Sequence, residues 1–303
     1  MTLVNTEAER LEAIDATTRG LTVIVPAFNE EHGIGSVVKW IHQAFEPSEL
    51  AHEILVVDDG SADRTAEIAE QTGARVLRHG GNRGYGEALK TGIQHASHEW
   101  IAIIDADGSY PADQIPELAR QLSRADMVVG ARTKAGAAIP LFRRPAKALL
   151  TWLASYLTET RIPDLNSGLR LFRRRLALEF LHILPSGFSF TTTITMAALN
   201  NGYTVHYVPV DYLKRTGSSK INPVRDSLNF LMLILRMTLL FRPLKIFLPT
   251  SIFFFSAALL TWVIGVAALH RLFDNLIAFE AECGVMALML GMLADLINVR
   301  LRR

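Results

Sequence analysis

Between residues 21 and 130 short apolar runs alternate strictly with segments of helical periodicity, and that alternation leaves few folds open. The runs are LTVIV (21–25), EILVV (53–57), ARVLR (74–78), WIAII (100–104) and DMVVG (126–130). Residues 101–104 are too short for a buried helix and rich in β-branched residues, so they read as a buried strand, and the other runs read as short apolar strands beside it. Residues 34–44, 63–72, 85–96 and 113–123 read as the helices between them, with Gly73 stopping the second. Strand and helix in alternation predict an α/β fold with a mostly parallel, doubly wound sheet, whose ligands bind beyond the carboxyl ends of the strands.

Polar clusters fall at those ends. PAFNEE (26–31) follows the first strand, DDGS (58–61) the second and GGNRGYG (80–86) the third, and WIAII runs into DADGSY (105–110). In an extended segment side chains at i and i+2 point to one side, so Asp105 and Asp107 are expected to aim at one point. Two carboxylates there repel unless a cation lies between them, and Mg²⁺ or Mn²⁺ is commonly held by one or two carboxylates plus substrate phosphates. Taken alone, the D-x-D also fits a solvated strand-to-loop junction, and Asp58-Asp59-Gly60 a turn capping the next helix.

Two familiar nucleotide sites are excluded. A dinucleotide-binding G-x-G-x-x-G belongs after the first strand, whereas here the spacing occurs reversed in the third loop. A P-loop requires glycine before its Lys-Thr pair, and Leu89 precedes Lys90-Thr91. The single cysteine, Cys283, rules out an internal disulfide and a Cys-rich zinc site and agrees with a reducing environment. The first twenty residues, read as a polar extension, carry Glu7, Glu9, Glu12 and Asp15 and no apolar core, so no signal peptide is expected. A net charge of +1 gives no sign of nucleic acid, and no nucleic-acid partner is expected.

PAFNEE, VVDDGSADRT, NRGYGEALKTGI, DADGSYP and the VVGAR ending at Arg132 together resemble the family 2 glycosyltransferases of the GT-A fold. Within that family the chain is most similar to the branch of dolichol-phosphate mannose synthase and bacterial polyprenyl-phosphate glycosyltransferases. The resemblance covers residues 21–220 and continues in DLNSGLR (164–170) and KRTGSSK (214–220). It implies that Pro26, Phe28, Glu30, Val57, Asp58 and Asp59 hold the base and ribose of a nucleotide-sugar. Asp105, Ala106 and Asp107 would meet its diphosphate, the two carboxylates through Mg²⁺ or Mn²⁺. Arg132, Arg215 and Lys220 would contact phosphates, and Asp164 would lie near the acceptor. The chain departs from the family at Phe28, usually tyrosine, and at Ser109, often glutamine in this branch.

The chemistry suits those residue types. Breaking a sugar–diphosphate bond leaves charge on the departing nucleotide, which a metal with Arg or Lys stabilises. A lipid-phosphate acceptor is already ionised and needs no strong base, whereas a hydroxyl acceptor would require Asp164 to take a proton. Asp164 also fits a turn residue after Pro163, and Arg143 and Arg144, ahead of a helix expected to reach Leu157, fit either a solvated helix start or a basic lip.

The last eighty residues differ in character. Residues 228–241 are apolar with Arg225, Arg236, Arg242 and Lys245 within or beside them, so 223–245 read as an amphipathic interfacial helix. Residues 246–269 carry no charge and are long enough to span a bilayer, while 276–299 are interrupted by Glu280, Glu282 and Asp295. A transmembrane hairpin over 246–303 is expected, both ends cytoplasmic, because Arg300, Arg302 and Arg303 match Arg242 and Lys245. Two buried helices of a soluble domain are the alternative. The whole is expected to be a multi-pass enzyme of the inner (plasma) membrane, with residues 21–222 a cytoplasmic GT-A domain moving sugar from a UDP- or GDP-linked donor to a polyprenyl phosphate. Homo-oligomerisation stays open. A hydroxyl-acceptor transferase and a catalytically silent nucleotide-sugar-binding protein are the other readings. A processive synthase is disfavoured because no Q-x-x-R-W occurs.

Overall fold

The computed structural model describes residues 20–48, 50–133, 144–187, 189–213, 223–267 and 273–301. Its packing divides the chain into two units, Met1–Ser227 and Leu228–Arg303. In the first, the expected strands form as β1 (Leu21–Ala27), β2 (His52–Asp58), β3 (Arg75–Arg78), β4 (Trp100–Ile103) and β5 (Met127–Ala131). Between them lie α1 (Ile34–Phe45), α2 (Thr65–Gln71), α3 (Tyr85–His95) and α4 (Ile115–Arg120). α1 buries Ile34, Val37, Val38, Ile41 and Phe45, one stripe at helical spacing. Each such side chain contributes roughly 1.5–3 kcal/mol by leaving water. α2 ends as expected at Gly73, whose φ of +93° a side chain would strain.

The helix expected over 113–123 is broken: 3₁₀ turns at Ala112–Gln114 and Gln121–Ser123 flank α4. Pro116 explains the break on the amino-terminal side, since it has no N–H for an earlier turn but is tolerated in a first turn.

Beyond Ala131 come α5 (Arg144–Thr158), β6 (Arg170–Arg173), α6 (Arg174–Glu179), α7 (Phe190–Asn200) and β7 (Val205–Pro209). The seven-stranded sheet has the order β3-β2-β1-β4-β6-β5-β7. All pairings are parallel except those of β6, which runs antiparallel to both β4 and β5. Neither β6 nor β7 was expected from the sequence. The reversal has a use: residues 164–169, which lead into β6, are brought to the same sheet edge as the carboxyl ends of the other strands.

The second unit is built from α8 (Pro223–Phe241, which begins in the first), α9 (Leu244–Ala267) and α10 (Asp274–Leu301). α9 and α10 pack against each other as a hairpin. A side-chain carbon on Gly291 would meet Phe247 at 2.6 Å and one on Gly284 would meet Phe255 at 3.2 Å, so small residues set the close approach. Ser251 Oγ donates to the Gly284 carbonyl at 2.8 Å. Both helices are long and apolar enough to cross a membrane. Their outer faces carry Phe253, Leu259, Met286 and Met289, all exposed.

Candidate active site

The carboxyl edge of the sheet gathers the polar clusters. Pro26 and Val57 are buried register partners on β1 and β2, and Phe28 just beyond is 43 % exposed, its ring free to stack. Asn29 adopts a left-handed backbone (φ +56°) that its short polar side chain tolerates. Its amide donates to Ser61 Oγ and its side-chain oxygen accepts from the Ala62 amide, each at 2.9 Å. The Glu30 N–H donates to Thr65 Oγ1 at 2.8 Å, and the Glu31 N–H to Asp63 at 3.2 Å. PAFNEE and DDGSADRT are thus one laced unit. The Thr65 N–H that opens α2 is taken by Asp63, not by Asp58 or Asp59. Asp58 accepts instead from the Ser61 N–H, inside its own turn.

Asp59, expected on the nucleotide, makes its bonds in this structure within the protein. Its carboxylate is 3 % exposed and turned to the third loop, accepting from the Arg83 N–H (2.9 Å) and Gly84 N–H (2.8 Å), with His79 Nδ1 at 2.7 Å. So placed, it holds protein backbone. The glycines of that loop likewise serve the fold: the Ser186 carbonyl takes the Gly86 and Glu87 amides at the start of α3 (2.7 and 3.2 Å), and a Cβ on Gly86 would lie 2.1 Å from the Pro185 carbonyl.

β4 ends at Ile103, and Ala106 and Asp107 lie in a turn completed by Gly108 at φ +68°. The two carboxylates therefore lie beyond the strand, and the alternation of an extended segment does not set their direction. Asp107 Oδ1 accepts the Ser109 N–H at 3.0 Å, closing that turn. Asp105 Oδ1 accepts from Tyr85 Oη at 3.0 Å, while its Oδ2 faces Gly168, where a Cβ would come within 2.3 Å. Burial first, and then the neighbouring Asp105, push the Tyr85 phenol well above its ordinary pKa, so it stays a donor. The Ser109 carbonyl accepts the Leu213 N–H at 2.9 Å, and Tyr110 Oη accepts the Gly168 N–H at 2.8 Å.

Arg132 and Asp164 form a two-point ion pair. Nε meets Oδ2 at 2.7 Å and Nη2 meets Oδ1 at 2.8 Å, the Arg132 N–H adds a third bond at 3.1 Å, and Asp164 is 1 % exposed. Burial disfavours the charged guanidinium, but the bonds to Asp164 outweigh it and raise its pKa. Arg132, expected on phosphate, thus grips a carboxylate in this structure. Arg170 is wholly buried: Nη1 donates to the Thr191 carbonyl and Thr195 Oγ1, each at 2.7 Å, and Nε to the Ser167 carbonyl at 3.1 Å. Arg143, Arg215 and Lys220 lie outside the described residues, and for Arg144 only the backbone is described.

The donor set suits a hard divalent ion. Two carboxylates one residue apart supply oxygen ligands, and the absence of a side chain at Gly168 lets the Asp105 carboxylate lie where any Cβ would clash with it. Among the described residues no third His, Cys, Asp or Glu joins them, so further ligands would come from substrate or water.

Residues 22–181 match the family described as Glycosyl transferase family 2, and residues 242–299 match the GtrB C-terminal hairpin. The chain belongs to glycosyltransferase family 2. It is 32 % identical over 205 residues to a dolichyl-phosphate hexose transferase of Haloferax volcanii, covering 67 % of this chain and 87 % of that one. It is 31 % identical over 212 residues to the low-salt glycan biosynthesis hexosyltransferase Agl6 of the same organism, covering 68 % of this chain but only 51 % of that protein. Among solved structures, glucosyl-3-phosphoglycerate synthase of Mycobacterium tuberculosis, in complex with Mn²⁺, UDP and phosphoglyceric acid, shares the fold at a TM-score of 0.58 and 22 % identity, over 77 % of this chain and 82 % of that one.

In this family 2 glycosyltransferase three residues of the edge went unread as site elements: Tyr85, Tyr110 and Arg170. Each stood in a quoted motif, yet each acts through a partner 20 or more positions away: Tyr85 on Asp105, Tyr110 on Gly168, Arg170 on Thr191. A single sequence carries no signal for such pairs.

Proposed function

We propose that this glycosyltransferase moves a sugar from a UDP- or GDP-linked donor to a polyprenyl phosphate at the cytoplasmic face of the inner (plasma) membrane. The observation that carries the reading is that one chain joins a D-x-D turn at the edge of a GT-A sheet to a GtrB-type hairpin of membrane-crossing length. The dolichyl-phosphate hexose transferase among its relatives supports the acceptor class. Pro26, Phe28, Glu30, Val57 and Asp58 would receive the base and ribose, with Asp59 fixing the loop beneath. Asp105 and Asp107, with Ala106 between them, would hold Mg²⁺ or Mn²⁺. When bound, that ion supplies positive charge where the departing diphosphate gains negative charge. Leu213, the last described residue before Arg215, is tied to Ser109 beside the D-x-D, and this supports a role for Arg215 on donor phosphate. Lys220 would add a second positive charge to the donor phosphates.

The Arg132–Asp164 pair favours a phosphate over a hydroxyl acceptor. With both oxygens of Asp164 engaged by one guanidinium, it is poorly placed to accept a proton, and an ionised phosphate oxygen needs none removed. Purified full-length protein given labelled UDP- or GDP-sugars should label a polyprenyl phosphate and leave the matching polyprenyl alcohol unlabelled. Equal transfer to the alcohol would overturn the acceptor assignment.

Both ends of the hairpin are assigned to the cytoplasm, because the basic residues flank it on one side. Asp274→Cys, in a Cys283→Ser background, should react with a membrane-impermeant maleimide in intact cells. Reaction only after the membrane is broken would show that the hairpin does not cross.

A further inference from the structure

From the geometry around Asp105 we infer that Tyr85 is a positioning residue for the metal: its hydroxyl fixes the Asp105 carboxylate in the orientation that binds the ion. The inference rests on the metal reading above and adds to it a residue outside the D-x-D turn. Tyr85 Oη lies 3.0 Å from Asp105 Oδ1, and the phenol is donor to that oxygen. On the opposite side the Gly168 backbone closes on Oδ2 so tightly that even a methyl group would stand 2.3 Å away. The carboxylate is held between a donor on one oxygen and a backbone wall at the other.

The tyrosine is itself held from both flanks. Before it, the Arg83 and Gly84 amides are fastened to Asp59; after it, the Gly86 and Glu87 amides are fastened to the Ser186 carbonyl. Gly84 takes φ +101°, and a Cβ there would meet Ser186 O at 2.5 Å, so the loop fits only as it stands. Four backbone bonds around one side chain are more than an exposed loop needs, and they fix the point from which Tyr85 reaches Asp105. Groups that orient a ligand through its second oxygen commonly change metal affinity about 10- to 100-fold when removed.

Tyr85→Phe keeps the ring and deletes the hydroxyl that donates to Asp105. In the full-length detergent-solubilised protein, Mn²⁺ binding followed by the loss of free Mn²⁺ EPR signal, with UDP present, should weaken about 10-fold or more. Turnover of the variant should recover as Mn²⁺ is raised, which a general packing defect would not show. Gly168→Ala disturbs the same carboxylate from the other side and should weaken Mn²⁺ binding likewise; metal-free melting curves of both variants monitor folding. Asp105→Asn separates the two readings. If it abolishes Mn²⁺ binding while folded Tyr85→Phe binds as wild type does, the positioning role is wrong and the metal reading stands. If Asp105→Asn binds Mn²⁺ normally, both fall.

Discussion

Asp107→Asn should lower kcat by about a hundred- to a thousand-fold while leaving the melting temperature unchanged. The rate loss corresponds to roughly 3–4 kcal/mol of stabilisation removed from the charge developing on the leaving diphosphate, the scale seen when one preorganised electrostatic contact is lost. The unchanged stability follows from what Asp107 does in the fold. It is half-buried and closes its turn by accepting the Ser109 N–H, a bond that an asparagine side-chain oxygen can also accept. Excess chelator should reproduce the loss in wild type and added Mn²⁺ or Mg²⁺ should reverse it. Full turnover by the variant, or by wild type in chelator, would sink the metal assignment.

Asp164→Asn should behave in the opposite way. It is nearly isosteric, yet it leaves the Arg132 guanidinium, only 20 % exposed, without its counter-charge. Removing one partner of a buried pair costs about 3 kcal/mol or more, because the survivor stays desolvated. For a domain of this size that lowers the melting temperature by about 10 °C. Arg132→Lys should fall between the variant and wild type, since a lysine keeps the charge but cannot span both oxygens. A folded Asp164→Asn that melts with wild type but transfers no sugar would instead mark Asp164 as a proton acceptor and restore the hydroxyl-acceptor reading.

Much of the sheet edge is legible in the sequence. The strands ending at Ala27, Asp58, Ile103 and Ala131 are apolar runs bounded by turn residues, and burial on both faces of a sheet leaves that mark in sequence. β6 and β7 left none. RLFR opens the strand with a fully buried arginine, whose charge is met by the Thr191 carbonyl and Thr195 hydroxyl more than twenty positions away, and VHYVP is only half-buried. The same reason explains Asp59. Its neighbours in sequence make a turn, and only the return of the chain at residues 79–84 shows that the carboxylate ties loop to strand. The role expected of Arg132 missed its partner because Asp164 arrives 32 positions later.

The placement of β6 bears on how the chain comes together. Strands β3, β2, β1 and β4 form one ribbon and β5 with β7 another, and β6 is the strand that joins them. On an emerging polypeptide, β4 and β5 therefore each present an unpaired edge until residues 170–173 have been made. Such edges recruit other chains and are slow to close, because the missing strand lies about 70 residues from β4 and 40 from β5. Joining the ribbons also delivers Gly168 to Asp105, so the surroundings of the D-x-D turn are finished only once β6 has joined the sheet. A nascent chain lacking β6 holds both carboxylates and still lacks the wall that orients one of them.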